Sequence, residues 1–388
     1  MNEHIIVGNV SDDPFSIDMA ALCGQEEEIA DIISLKTFAN SEFCPRFILQ
    51  EDLPGAVIGK SLEGKIAIIC STAHHLTQTR NALAMRTMLI ARSAKENGAK
   101  KVILVEPDLF YSAQDRGPHP CKYDEPRHDL DMAKFDGQAF NSQLYAQLLK
   151  TAGVDVVVTV HNHSPSVQRL FSDVFDGEFY NLHPYEIYAD YIKRSDFVQT
   201  GKDGDNLILC APDKGARPFT KKVYEALGLK HVKTLTMTKE RSGEREVVVT
   251  LDPSSECSLD ELAGKDIIVL DDMVRTGSTI IQCAHALIKG APNRICFGVT
   301  HFYSSREGRV TLNDPVLNEI LTLNTIPSIL NRDSQGRLRK KMVVLKIEKW
   351  ITRFLLKYLQ KEIHKLDKDF YTVDMSSKNP RWRPSSIF

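Results

Sequence analysis

The residues of this 388-residue chain best suited to chemistry lie at 267–279, IIVLDDMVRTGST. An apolar run delivers two adjacent carboxylates, Asp271 and Asp272, then a turn of small residues, then a helix start at Ser278 or Thr279. Two acids at a strand end can accept hydrogen bonds from the vicinal hydroxyls of a ribose. The turn Arg275, Thr276, Gly277, Ser278 and Thr279 offers hydroxyls and backbone N–H groups at a helix N-terminus, where an anion is favoured. Gly277 lets the backbone approach a phosphate with no side chain in the way. The chemistry that suits these residues is the holding of a ribose phosphate. A plain strand-to-helix turn uses similar residues, but this full order of apolar run, acids and loop is much less common.

Other segments carry weaker signals. In YSAQDR, Gln114 and Asp115 could bond an adenine or ribose edge and Arg116 could hold phosphate oxygens. Standing alone, that segment is better explained as a polar loop after a strand. In VHNHS, His161 and His163 lie two apart at a strand end, so both imidazoles are expected to project the same way. Imidazole binds divalent cations, although magnesium prefers oxygen. Zinc is the rival, with no Cys or His cluster nearby in sequence to complete its site. Asp213 in CAPDKGA is a carboxylate suited to a metal, or simply a cap ahead of the helix at 217–227. Lys239 and Arg241 sit between two strand-like runs, where cations could close over a transferring phosphoryl group. Glu244 and Arg245 in the same loop read as an ordinary solvated hairpin tip.

The elements that must position these residues alternate between apolar strands and helix-period segments. KIAIICST (65–72) precedes a helix from about Gln78 to Asn97, with Leu83, Thr87, Ile90 and Ala94 on one face and Asn97-Gly98 as its stop. KVILVE (101–106) and VDVVVTV (154–160) follow, with a helix around 138–151 between them. Continuous β-branched runs suit strands covered on both faces, hence a parallel sheet flanked by helices. The second half repeats the plan: NLILCAPDKG answers KIAIICST, HVKTLTM answers KVILVE, and DIIVLDDM answers VDVVVTV. The expected fold is α/β, in two tandem domains at 1–165 and 166–362, with an extended tail at 363–388. Ligands bind such sheets at the carboxyl ends of the strands. Near the end, Ile347, Trp350, Ile351, Phe354, Leu355, Tyr358 and Leu359 make an amphipathic helix, expected to dock on its own domain.

The segment 267–279 closely resembles the phosphoribosyl pyrophosphate (PRPP) motif shared by phosphoribosyltransferases and PRPP synthetases. The synthetases have two such α/β halves, and further segments resemble theirs in order over roughly residues 1 to 330. FANSE, with Phe38, Asn40 and Glu42, resembles the stretch that in the family reaches the adenine of ATP from a neighbouring subunit. YSAQDR resembles the segment lining the ATP site, TVHNHSPSVQRLF the segment whose His helps hold magnesium–ATP, and CAPDKGA the strand end whose Asp contacts a metal and the ribose. TKERSGEREV falls where the family has a mobile catalytic loop with a Lys-x-Arg pair. Three positions depart from the pattern: Ala113 replaces an Arg, His161 an acid, and Arg275 an Asp or small polar residue. A stretch rich in His, Pro and charge, 117–136, is either a lid over the nucleotide or a surface insertion.

The resemblance implies two tandem phosphoribosyltransferase-like domains and a ribose-phosphate diphosphokinase. In its reaction the C1 hydroxyl of ribose 5-phosphate takes the diphosphoryl group of magnesium–ATP, giving PRPP and AMP. It also implies roles: Lys239 and Arg241 catalytic, Asp271, Asp272, Arg275 and Thr276 to Thr279 for the ribose phosphate. Phe38, Asn40, Glu42, Gln114, Asp115 and Arg116 would meet ATP, and His161, His163 and Asp213 the Mg²⁺. A homo-oligomer sharing its ATP sites is a further implication. Rival readings are a relative with another ribosyl acceptor, a phosphoribosyltransferase, or a catalytically silent regulatory homologue. Composition agrees with a soluble globular protein: 42% apolar, 26% charged, net charge −2, with no stretch basic enough for a nucleic-acid groove. Eight singly placed cysteines, no signal-like N-terminus and no bilayer-length apolar run lead to the expectation of a cytoplasmic protein without membrane or nucleic-acid partners.

Overall fold

Runs such as IAIIC and VVVTV have no polar face, so each must be covered on both sides, and both form buried strands. The computed structural model describes residues 3–10, 12–48, 59–73, 78–241, 247–362, 366 and 369–374. The chain divides into two units, Met1–Leu182 with Glu348–Asp367, and His183–Ile347 with Lys368–Phe388.

The first unit runs β1 (His4–Gly8), α1 (Pro14–Leu22), α2 (Ile29–Ile32), the hairpin β2 (Ile33–Thr37) and β3 (Phe43–Phe47), then β4 (Ile66–Cys70), α3 (Arg80–Glu96) and β5 (Lys101–Val105). It continues with α4 (Asp129–Ala133), α5 (Asn141–Ala152), β6 (Val156–Val160), α6 (Pro165–Val174) and β7 (Phe179–Leu182). Its main sheet has the order β1-β4-β5-β6-β7, parallel throughout. Thr79 starts α3 by accepting the Ala82 N–H at 3.2 Å, and Gly98 at φ 91° ends it. Ile5, Val7, Ala67, Ile69, Val102 and Leu104 form one core with residues of α3, α5 and α6. The alternate residues Ile6, Ile68, Ile103 and Val156 are equally buried and point to the other face of the sheet. Elements other than α3, α5 and α6 must cover that face, and α1 packs there with the helix Glu348–Tyr358. Thr352 donates to the Met19 sulfur, and Phe354 and Tyr358 pack tilted and edge-on against Tyr180.

The second unit contains α7 (Tyr185–Arg194), β8 (Leu207–Ala211), α8 (Arg217–Leu227), the antiparallel pair β9 (Lys233–Arg241) and β10 (Val247–Leu251), β11 (Asp266–Val274) and α9 (Ser278–Leu287). It ends with β12 (Arg294–Phe302), α10 (Arg306–Thr311), β13 (Glu319–Leu323), α11 (Arg332–Gln335), β14 (Met342–Lys346) and β15 (Thr372–Val373). The sheet order is β10-β9-β8-β11-β12-β13-β14-β15, parallel from β9 to β14.

Three features differ from the sequence reading. The expected boundary at 165/166 falls where α6 begins, yet α6 and β7 complete the first sheet, so the division comes at Leu182/His183. The amphipathic helix at the end does not stay with the second domain: it supplies cover that the first sheet lacks. Within the expected tail, Thr372 and Val373 pair antiparallel with β14, while 375–388 lie outside the described residues. The repeat also aligns differently in space. The strand from DIIVLDDM lies directly beside the one from NLILCAP, whereas β4 and β6 have β5 between them.

Candidate functional site

From β8 the chain of the second unit moves outward to β9 and β10, then returns on the other side of β8 as β11. Open α/β sheets bind ligands at such a reversal, beyond the carboxyl ends of the strands. Here β8 pairs only with residues 266–269 of β11, so 270–274 run on with β12 alone beside them. Asp271 and Asp272 stand on this overhang, and Asp213 follows the end of β8. Burial, then the negative charges of Asp272 and Asp213, hold the Asp271 carboxyl well above the usual carboxylate range. The Asp272 N–H donates to Asp271 Oδ1 at 3.0 Å. Asp213 also accepts the N–H groups of Gly215 and Ala216 at 2.9 and 3.2 Å, so the turn ahead of α8 uses it as well. Three acids crowd the neighbouring ends of β8 and β11, an arrangement eased by a cation or by hydroxyl donors.

The loop after β11 turns at Gly277, whose φ is 78° and where a Cβ would stand 2.7 Å from Leu312. No side-chain hydrogen bond caps α9 at Gly277, and α9 begins at the next residue, so its positive dipole end faces the loop, where an anion is favoured. The Thr276 and Ser278 hydroxyls lie 3.3 Å apart at its mouth, and Thr279 follows in the first turn. Ser305, which caps α10, donates to the Arg275 carbonyl at 2.7 Å and fixes the loop from below. The exposed Arg275 guanidinium lies over the Tyr303 ring, 5.6 Å from its centre. Ser305, Tyr303 and Leu312 support the loop from outside the motif, and no local pattern in the sequence marks them.

In the first unit, β5 and β6 are neighbours, and the segments after them meet. The Ser164 hydroxyl donates to Asp115 at 2.7 Å. Asp115, Arg116 and His163 line one cavity of about 490 Å³, the size of a small-ligand site. Gln114 accepts from Asn141. The two histidines do not share an orientation. The strand ends at Val160, and His161 takes φ 48°, which breaks the alternation; it is buried, and His163 is exposed. Among the described residues no group of three or more His, Cys, Asp or Glu could hold a metal unaided.

Phe38, Asn40 and Glu42 form the tip of the β2–β3 hairpin. The Phe38 N–H donates to the Glu42 carbonyl at 2.8 Å, and Asn40 accepts the Glu42 N–H at 3.2 Å. Phe38 is 45% exposed with Lys36 over its ring. Lys239 and Arg241 occupy β9, opposite Val249 and Val247 of β10. Their side chains, and Glu244 and Arg245, lie outside the described residues.

The carboxyl ends of β1, β4 and β5 are filled by their own side chains. Glu106 accepts from Ser71 at 2.6 Å, from Tyr145 at 2.9 Å and from the Phe110 N–H at 2.9 Å. Asp13 accepts from Thr72 at 3.0 Å. Burial pushes Glu106 up to about 7 and Asp13 up to about 6. Among the described residues, this buried network gives the first sheet no counterpart of the open loop after β11.

Residues 188–326 match a family model described as a phosphoribosyl transferase domain. The ribose-phosphate pyrophosphokinase of Pyrococcus abyssi is 31% identical over 271 residues, which cover 70% of this chain and 80% of that relative. That of Corynebacterium efficiens is 26% identical over 298 residues, covering 76% and 77%. The crystal structure of phosphoribosylpyrophosphate synthetase from Mycobacterium smegmatis is similar in fold, with a TM-score of 0.69 at 19% identity over 92% of this chain and 99% of that one. With the acids and loop of β11 at the sheet's reversal and this identity across most of a relative, the chain belongs to the ribose-phosphate pyrophosphokinase family.

Proposed function

We propose that the chain is a ribose-phosphate diphosphokinase, and the observation that carries this is the acid pair and uncapped helix start at the reversal of the second sheet. The anomeric hydroxyl of ribose 5-phosphate attacks the β-phosphorus of ATP. A bond forms between that oxygen and phosphorus, and the bond from the β-phosphorus to the α,β-bridging oxygen breaks. AMP leaves with the bridging oxygen, the hydroxyl proton is lost, and PRPP is formed. Asp271 and Asp272 accept the ribose hydroxyls; Thr276, Gly277, Ser278 and Thr279 receive the 5-phosphate, with Arg275 at its edge. Phe38, Asn40, Glu42, Gln114, Asp115 and Arg116 are assigned to the nucleotide. Lys239 and Arg241 are assigned to the transferring group, whose developing charge cations stabilise.

Magnesium fits these residues as an ion carried mainly by phosphate oxygens, because no complete protein cage is present among the described residues. Asp213, His163 and His161 are the side chains proposed to meet it, and its contribution is to neutralise phosphate charge. No helix among the described residues is long and apolar enough to cross a membrane. A cytoplasmic homo-oligomer with shared ATP sites completes the proposal.

The test is AMP release from magnesium–ATP with and without ribose 5-phosphate, with PRPP identified by mass spectrometry. AMP and PRPP appearing together, only with the sugar phosphate, supports the reading. If the enzyme gives no PRPP but releases AMP with a ribosyl phosphate bearing a larger group, the acceptor is different. The exposed Arg275 beside the phosphate loop favours that second reading. Lys239→Ala is expected to abolish turnover while leaving ATP binding intact, and unchanged turnover overturns the assignment of that residue.

A further inference from the structure

The segment 117–136 is built into the first unit and does not merely project from it. Arg127 holds it together. Its side chain is only 6% exposed; Nε donates to Asp131 at 2.9 Å, Nη1 to the Gly117 carbonyl at 2.9 Å and to Asp124 at 3.4 Å, and the guanidinium lies over the Phe135 ring. The segment is also fastened to α6. The Tyr123 hydroxyl donates to Asp173 at 2.6 Å, Arg169 donates to the Tyr123 carbonyl, and Arg169 pairs with Glu125 at 3.1 Å.

This folded segment forms a wall of the cavity of about 490 Å³ that Asp115, Arg116 and His163 line, contributing Arg127, His128 and Asp131 among others. Arg116 reaches across to Asp131 at 3.7 Å. The acids of the cavity are already engaged: Asp115 with Ser164, Asp124 and Asp131 with Arg127, and Glu125 with Arg169. They hold the arginines in place and are not grouped to take a metal. One donor is left over, since Arg127 Nη2 is buried with no partner among the described residues. A buried unpaired donor of this kind is costly, and in a mixed-charge cavity a ligand oxygen relieves the cost.

We propose that residues 124–131 belong to the nucleotide site, with Arg116, Arg127 and Arg169 converging on the polyphosphate of a bound nucleotide and His128 beside it. The proposal rests on the diphosphokinase reading for the identity of the nucleotide. Arg127 acts both as the positioning residue of the wall and as a donor, whereas the exposed His128 side chain anchors nothing that the described residues show. That difference sets the experiment.

Equilibrium binding of magnesium–ATP and steady-state kinetics would be measured on the full chain, unaltered and as Arg127→Lys and His128→Ala. The expected result is an ATP Kd and KM raised about tenfold in Arg127→Lys and by a few fold in His128→Ala. The KM for ribose 5-phosphate and the melting temperature of His128→Ala are expected to stay unchanged. Nucleotide parameters that stay constant in His128→Ala, and in an Arg127→Lys protein that melts normally, overturn the inference while PRPP formation stands. If the unaltered enzyme makes no PRPP but binds ATP, and both variants weaken that binding, the inference holds and the reaction assigned above fails. An unaltered protein that does not bind magnesium–ATP overturns both.

Discussion

Asp271 carries an electrostatic burden in the second unit, since its own burial and the charges of Asp272 and Asp213 all oppose ionisation. That cost is offset only when something positive or hydrogen-donating occupies the strand end. Asp271→Asn is therefore expected to leave the unit folded, or even to stabilise it. It should lower kcat/KM for ribose 5-phosphate about 10- to 100-fold, the worth of one or two hydrogen bonds to a charged group. Kinetics beside a thermal melt separates the two effects; unchanged kinetics would remove Asp271 from the site. Glu106 is a different case, a buried carboxyl that the proposed reaction does not use. Its folded value, about 7, lies above the ordinary 4.5. Both states carry the proton below pH 4.5, and above it the unfolded chain ionises first. Stability from this group is thus intact below about pH 4.5 and lost as pH rises to about 7, by roughly 3 kcal/mol. Asp13 acts with the same sign between 3.8 and about 6. Denaturant melts from pH 4.5 to 7 should show a shallower decline in Glu106→Gln than in the unaltered chain; superimposable slopes would disprove the linkage.

At the scale of the element, the helix Glu348–Tyr358 shows how a single strand order governs a distant segment. The first sheet runs in sequential order, its connecting helices α3, α5 and α6 pack together, and the opposite face needs other cover. Leu355 is fully buried in that cover. Leu355→Ala is expected to cost about 2–5 kcal/mol, measured as a lower denaturation midpoint of the first unit. A loss below about 0.5 kcal/mol would mean that the helix is not needed there. The amphipathic face of this helix was legible in its spacing, but its destination was not, because periodicity states that a face is buried and not against what. The same limit explains the domain boundary: prolines punctuate the chain both at Pro165 and at Pro184, and only pairing with β6 assigns β7, and α6 with it, to the first half. By contrast, the strand, turn and helix start of 267–279 were legible, since its apolar run and glycine each answer a local demand of strand and turn. His161 was misread because alternation extrapolates only while the strand continues, and φ 48° ends it.

At the scale of the whole molecule, the proposed sharing of ATP sites requires more than one chain for catalysis. Phe38 offers an aromatic face at the tip of a short hairpin and remains 45% exposed, a condition suited to stacking on a base. If that base is bound on a neighbouring chain, Phe38→Ala and Asp271→Asn damage different halves of a shared site. Each variant alone should lose most of its activity. When the two are co-expressed, random mixing places an intact Phe38 opposite an intact Asp271 in roughly one quarter of sites, so activity should return to about that fraction. A site complete within each chain allows no recovery, because no subunit in the mixture carries both residues intact. Light scattering on the same samples reports whether oligomers form at all. Recovery of activity in an oligomer makes the hairpin a donated element; failure to recover in a proven mixed oligomer confines Phe38 to its own chain.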